Sequence, residues 1–364
     1  MESADFVVIG AGIAGASVAY ELAAHARVVV LEREAVAGYH TTGRSAAVFT
    51  EAYEKSGIRA LTRASRPFLE DPPEGFTDVP LLSPLPVLFV GRDDQLDALE
   101  QVLHESVDLV RWVDPIEALT LCPVLRPGYV AGGVLEADAR SIDVHALHQG
   151  FLRGLRRRGS RVLTKAEVSS LVYTSTWTVG TTQGPIRTPV IVDAAGAWAD
   201  QVAEMAGARP VGLTPLRRTA FTFDPPPDIG GRAWPMVFDV GEDFYFRLDG
   251  PQILASPCDE EPMEPCDVRH EEIDVAIAID RIQAATTLTI RHVRNAWAGL
   301  RTFAPDRTPV VGWDPEVPGF FWLAGQGGFG IMTSPAMART ASALITGGAV
   351  QESIDTTLLD PGRF

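Results

Sequence analysis

The stretch DFVVIGAGIAGASVAYELAAHARVVVLERE, Asp5 to Glu34, decides the fold. Phe6 to Ile9 is a short β-branched run, Ile13 to Ala24 carries small and apolar residues at helical spacing, and Val28 to Leu31 is a continuous apolar strand of the kind buried on both faces. Strand, glycine turn, helix and strand make one βαβ unit. Each of its three glycines has a mechanical role. Gly10 makes the tight turn, Gly12 lets backbone approach a pyrophosphate, and Gly15 lets the helix press on the sheet. The phosphates then meet the N–H groups at the positive end of the helix, where Ile13 and Ala14 stand. Glu32 closes the second strand about twenty residues after the glycines, where a carboxylate accepts the ribose hydroxyls of an adenine dinucleotide and repels the 2′-phosphate of NADP.

Working outward, the α/β character returns twice. Asp143 is placed to cap a helix, VHALHQGFLRGLRRRG, in which Leu147, Phe151 and Leu155 recur four apart; Gly159 ends it and RVLTKAEV follows as a strand. VIVDAAGAWAD, Val190 to Asp200, reads as a buried strand breaking at Gly196, and GFFWLAGQGGFGIMTSPAMARTASALITGG as strand, glycine turn and helix. Between these lie β-rich insertions. LLSPLPVLFVGR, Leu81 to Arg92, sets two prolines beside an apolar run, and FYFRLDGPQILAS, Phe244 to Ser256, reads as a hairpin around Asp249 and Gly250. The expected fold is therefore mixed α/β, with a Rossmann-type cofactor domain (1–78, 143–210, 302–364) interleaved with an antiparallel-sheet substrate domain (79–142, 211–301). Three glycine turns at strand ends suit a long buried cofactor held along its length, which favours FAD over NAD.

Composition narrows the function. The chain has 364 residues, 46% of them hydrophobic, enough for one large core or two. A net charge of -16, with lysine only at Lys55 and Lys165, excludes the basic face that nucleic acid requires. The one basic cluster, Arg156 to Arg158, sits at a helix end that favours cations. Cys122, Cys258 and Cys266 cannot make an even disulfide framework, and Cys258, Cys266 and His270 match no common zinc spacing, so no metal is expected. No signal-peptide pattern and no run of about 18 apolar residues occurs, so the expectation is a cytoplasmic protein without a transmembrane segment.

In this order, VVIGAGIAGAS, HTTGRSAA, VDAAGAWAD, AGLRTFAPDRTPVVG and GQGGFGI resemble the FAD-dependent D-amino acid oxidase and dehydrogenase superfamily, across nearly the whole chain. Within it the pattern is most similar to the bacterial D-arginine dehydrogenases. The resemblance implies a D-amino acid oxidase-like fold, noncovalent FAD despite His40, and hydride transfer from a substrate α-carbon to flavin N5, giving an imine that water hydrolyses to a 2-oxo acid and ammonia. It carries Arg301 over as the carboxylate clamp, Tyr245 and Tyr53 as tyrosines on the same carboxylate, and Arg218 as a second arginine of the site. Gly327 and Gly328 correspond to the turn beneath the substrate amine. The cofactor set it implies adds Arg33; Thr41, Thr42, Gly43, Arg44, Ser45, Ala46 and Ala47 from the hydroxyl-rich segment; Val168; Ala195, Gly196 and Trp198; and Phe329, Gly330 and Ile331 at the last turn.

Two positions depart from the D-arginine dehydrogenase pattern. Val48 stands where that pattern has a histidine, and Val87 where it has the glutamate that pairs the substrate's cationic side chain. An aliphatic wall leaves a buried cation unpaired, at a cost of several kcal/mol. Val48, Val87 and Met236 are therefore expected to wall a pocket for a neutral or apolar side chain. Oxidation of a secondary amine, an imino acid or a 2-hydroxy acid, and a flavin-binding protein without turnover, are the alternatives, with oxygen or a quinone as electron acceptor.

Overall fold

The structure is a computed structural model, and it describes residues 2–52, 56–226 and 233–364. Tyr53 lies outside the described residues.

The βαβ unit seeds a six-stranded sheet whose order is Arg161–Leu163, Val28–Leu31, Phe6–Ile9, Val190–Asp193, Phe320–Ala324 and Val310–Trp313. The first five run parallel and the last is antiparallel to its neighbour. Side chains alternate between two cores. Val8, Val30, Val192, Phe321 and Leu323 face one, shared with helices Ile13–Leu22, Val144–Arg157 and Gly330–Thr346; Val7, Val29, Ile191, Phe320 and Trp322 face the other. Burial on both faces explains why these strands read as unbroken apolar runs.

The second sheet, which roofs the first, differs from the expectation of a purely antiparallel one. Hairpin Tyr245–Asp249 to Gln252–Ser256 is antiparallel as read, but Met236–Asp239 pairs with Val87–Gly91 in parallel. Those two strands are joined through the whole middle of the chain, so no tight turn forces them to oppose one another. Thr214–Phe223 and Val293–Phe303 form its longest antiparallel pair. A second difference lies in RVLTKAEV, which is two strands rather than one. Arg161–Leu163 stays in the parallel sheet, Lys165 takes a φ of 56°, and Val168–Tyr173 joins a separate four-stranded sheet. The amides of Lys165 and Ala166 donate to the carbonyls of Glu34 and Glu32, which turns the chain there. The strand at Val190 likewise ends at Asp193, before Gly196.

Candidate functional site

At the end of Phe6–Ile9 the Gly10 amide donates to the Leu31 carbonyl (2.8 Å), and Gly10 adopts a φ of +100° with the Ala194 carbonyl lying where a Cβ would stand. Gly15 has the same constraint in a helix: the Gly10 carbonyl occupies its side-chain position, so any larger residue would push the turn away. Gly12 is the helix N-cap, and the first helical amide, that of Ile13, donates to Thr42 Oγ1 at 2.9 Å. Glu32 is 7% exposed, with Oε2 accepting from Ala11 N in the turn (3.0 Å) and Oε1 from Glu34 N (2.9 Å). The carboxylate is thereby held rigid at the mouth of the cleft.

The segment after it is sewn between the two sheets. Thr41 Oγ1 donates to the Leu300 carbonyl (2.7 Å), Ser45 Oγ to the Thr41 carbonyl (2.8 Å), and Gly43 N to the Gly38 carbonyl (2.7 Å). Arg44 lines the cleft, but its guanidinium donates to the carbonyls of Val268 (2.9 Å) and Ala298 (3.1 Å) and pairs with Asp267. Its charge fastens the segment to the roof. His40 Nε2 meets Glu34 Oε1 at 3.0 Å, with its ring 4.8 Å from that of Trp198, over which the Arg33 guanidinium lies at 4.5 Å.

These residues surround a cleft of about 340 Å³ running from the glycine turn to the last turn of the chain. Of the expected cofactor residues, all but Gly15, Gly43 and Phe329 line it. The first two are glycines because backbone presses on them, and Phe329 turns into a smaller adjoining pocket. That pocket, about 100 Å³, is lined by Val48, Val87 and Met236, together with Phe89, Phe238 and Met332. Tyr245, Arg301 and Gly328 face both cavities, and Arg218 faces the larger.

Each of these residues is braced. Tyr245 is buried and stacks on Phe238 with ring centroids 6.0 Å apart. Gly327 has a φ of +54°, with the Phe303 ring filling the place of a side chain. At Gly328 a Cβ would stand 3.0 Å from Arg301 Nη1 and 3.1 Å from Cζ, so the guanidinium lies against a bare backbone. Arg218, 7% exposed, donates to Glu260 Oε1 at 3.1 Å. Burial alone would raise the Glu260 carboxyl, but Arg307, Arg218 and Arg301 hold it below the usual carboxylate range. Burial pushes the nearby Cys258 thiol up to about 12 despite the two arginines. The site thus concentrates positive charge at the junction of the two cavities.

Sequence reasoning missed three contributors. Gln326 lines the cleft with a buried Nε2 that has no hydrogen-bond partner among the described residues, a donor suited to a ligand. It sits inside GQGGFG, where the glycines drew the reading. His148 Nε2 donates to the Ala11 carbonyl at 2.9 Å, supporting the glycine turn from a helix 137 residues away. Thr50 lines the smaller pocket. The bare backbone at Gly10 and Gly12, the carboxylate of Glu32 and the orphaned amide of Gln326 fit a dinucleotide. Among the described residues no cluster of three or more His, Cys, Asp or Glu could hold a metal, and no helix is long and apolar enough to cross a membrane.

A sequence model of the family described as FAD-dependent oxidoreductase matches residues 5–344. An uncharacterized oxidoreductase of Bacillus subtilis, YurR, is 25% identical over 98% of both chains. The mitochondrial dimethylglycine dehydrogenase of Mus musculus is 25% identical over the whole of this chain, which spans 44% of that protein's length. Among solved structures, glycine oxidase from Geobacillus kaustophilus superposes with a TM-score of 0.86 at 20% identity over all of both chains. L-proline dehydrogenase from P. horikoshii gives 0.87 at 22% identity, over 100% of this chain and 98% of that one. These structural likenesses establish the fold.

Proposed function

The chain belongs to the family of FAD-dependent oxidoreductases, and on that premise we propose that it oxidises a D-amino acid with a neutral or apolar side chain to a 2-oxo acid and ammonia. The bound flavin supplies the hydride acceptor. The chain's own residues supply binding, orientation and exclusion of water, so positioning carries most of the rate.

The observation that carries this reading is the junction of the two cavities. Arg301 and Tyr245 stand where the large cleft meets the small apolar pocket. A guanidinium offers two parallel donors to two carboxylate oxygens, and the tyrosine hydroxyl adds a third. A carboxylate held there directs the substrate side chain among Val48, Val87 and Met236 and places the amine over the Gly327–Gly328 backbone. Arg218 adds positive charge behind the carboxylate. The interleaved segments divide the labour, with the parallel-sheet layer taking the cofactor and the mixed sheet the substrate. In this proposal Tyr53 supplies a second hydroxyl to the carboxylate, and FAD binds noncovalently, as the resemblance to the D-arginine dehydrogenases implies.

A second reading, oxidation of a secondary amine, is favoured by relatives named for sarcosine and L-proline. Anaerobic bleaching of the flavin separates the two. We expect D-leucine, D-methionine or D-phenylalanine to reduce it faster than D-arginine, sarcosine or proline. Faster reduction by D-arginine refutes the apolar pocket, and reduction by sarcosine or proline alone replaces the primary amine by a secondary one.

A further inference from the structure

The small pocket contains one polar side chain that the carboxylate does not claim. Its wall includes Thr50, and unlike Tyr245 and Arg301, Thr50 does not face the larger cleft. The state of that hydroxyl is fixed from behind. Thr50 Oγ1 donates to Glu136 Oε2, and Glu136 Oε1 accepts the amide of Glu51 at 2.8 Å. Glu136 is 3% exposed and stands opposite Val87 in the antiparallel pair of Val87–Gly91 with Gly132–Glu136, so its side chain rises from the same face of the sheet as a pocket residue. The neighbouring carboxylate, Glu51, does not compete for Thr50, because Arg63 Nε (2.7 Å) and Arg66 Nε and Nη2 (3.0 and 2.9 Å) occupy it.

A hydroxyl has one proton and two lone pairs. With the proton given to Glu136, only lone pairs face the pocket. We propose that Thr50, oriented by Glu136, is a specificity-determining acceptor that makes the pocket favour side chains ending in a hydrogen-bond donor, such as a hydroxyl, over hydrocarbon side chains of the same shape. The inference rests on the amino-acid oxidation proposed above and narrows its neutral substrate class to small hydroxylated side chains. Glu136 is the positioning residue, and Thr50 the group that touches substrate.

The test uses isosteric pairs on the flavin-loaded protein, with anaerobic bleaching as the readout. D-threonine and D-valine differ by a hydroxyl in place of a methyl, and the wild type should half-saturate with threonine at roughly five- to tenfold lower concentration. Thr50→Val should collapse that ratio towards one. Glu136→Gln turns an amide N–H towards Thr50 Oγ1 and so points the Thr50 proton into the pocket. That variant alone should then prefer the acceptor-only ether O-methyl-D-serine to its hydrocarbon isostere D-norvaline, a reversal that a merely structural role for Glu136 does not produce. Equal half-saturation by threonine and valine in the wild type, or a ratio that Thr50→Val leaves in place, overturns the inference while leaving amino-acid oxidation standing. Failure of every amino acid to bleach the flavin overturns both. If Glu136→Gln does not fold, the Thr50→Val ratio decides.

Discussion

Gly328→Ala isolates the contact on which the proposed carboxylate clamp depends. The backbone at Gly328 is not left-handed, so alanine meets no conformational penalty there, and removing a glycine favours the folded state by about 0.4–1 kcal/mol. What opposes it is one new methyl. Its position is 3.0 Å from Arg301 Nη1, 3.1 Å from Cζ and 3.2 Å from Nε, whereas ordinary contact begins at 3.4 Å, so the whole guanidinium must retreat by about 0.4 Å. Three atoms of a rigid plane are hit together, so rotating one torsion does not relieve the overlap. A displacement of about 1 Å in a bidentate clamp costs on the order of a hundredfold, so a retreat of about 0.4 Å scales to near tenfold. The expected result is a tenfold rise in the half-saturating amino acid concentration in stopped-flow flavin reduction, with a melting temperature equal to or slightly above the wild type. A variant that melts higher and half-saturates within twofold of the wild type would show that Arg301 does not hold substrate from this position, and the carboxylate site would have to be sought elsewhere.

Two further outcomes bear on the cofactor turn. Glu32→Gln replaces one acceptor oxygen by a donor that must face Ala11 N or Glu34 N, both of which already donate, and an unsatisfied buried group costs about 1–3 kcal/mol; fluorescence titration of the apoprotein should give FAD binding at least tenfold weaker, and full flavin retention through purification contradicts the assignment. Burial lowers the pKa of His148, with His145 and Arg156 adding to the effect and the bond to Ala11 opposing it. The neutral ring is the folded form, so its contribution is complete above the ordinary histidine value near 6.5 and is lost as pH falls towards the lowered one. Melting temperature should therefore drop between about pH 7 and 5, and His148→Gln should flatten that slope; an unchanged slope removes His148 from the support of the glycine turn.

The parts of the molecule that were legible in the sequence are those whose cause is local. Gly15 lies five residues after Gly10, whose carbonyl occupies its side-chain position, and Asp143 accepts from Ala146 N three residues on, so both could be read along a single stretch. The parts that were not legible depend on contacts between distant segments. The His148 bond to Ala11 spans 137 residues and the Thr50 bond to Glu136 spans 86, and neither partner carries a signal alone. The parallel pairing of Met236–Asp239 with Val87–Gly91 was likewise invisible, because a hairpin announces its own turn and a long crossover does not.

Val48 lies between these two cases. It belongs to the two-residue strand Val48–Phe49, where successive side chains point to opposite faces. Phe49 is fully buried beneath the Arg66 guanidinium at 4.8 Å, which leaves Val48 to face the small pocket, and Thr50, next after Phe49, returns to the same wall. Alternation therefore explains why an apolar pair interrupts a polar segment: one member anchors the segment in the core and the other presents an aliphatic surface to the pocket. The same chain direction that carries Thr41 and Thr42 past the cofactor helix delivers Val48 and Thr50 to the pocket wall. If the small pocket takes the substrate side chain as proposed, a change in preference can thus be encoded at Val48 or Thr50 without disturbing Thr42, whose hydroxyl caps the helix, or Arg44, whose charge fastens the segment to the roof.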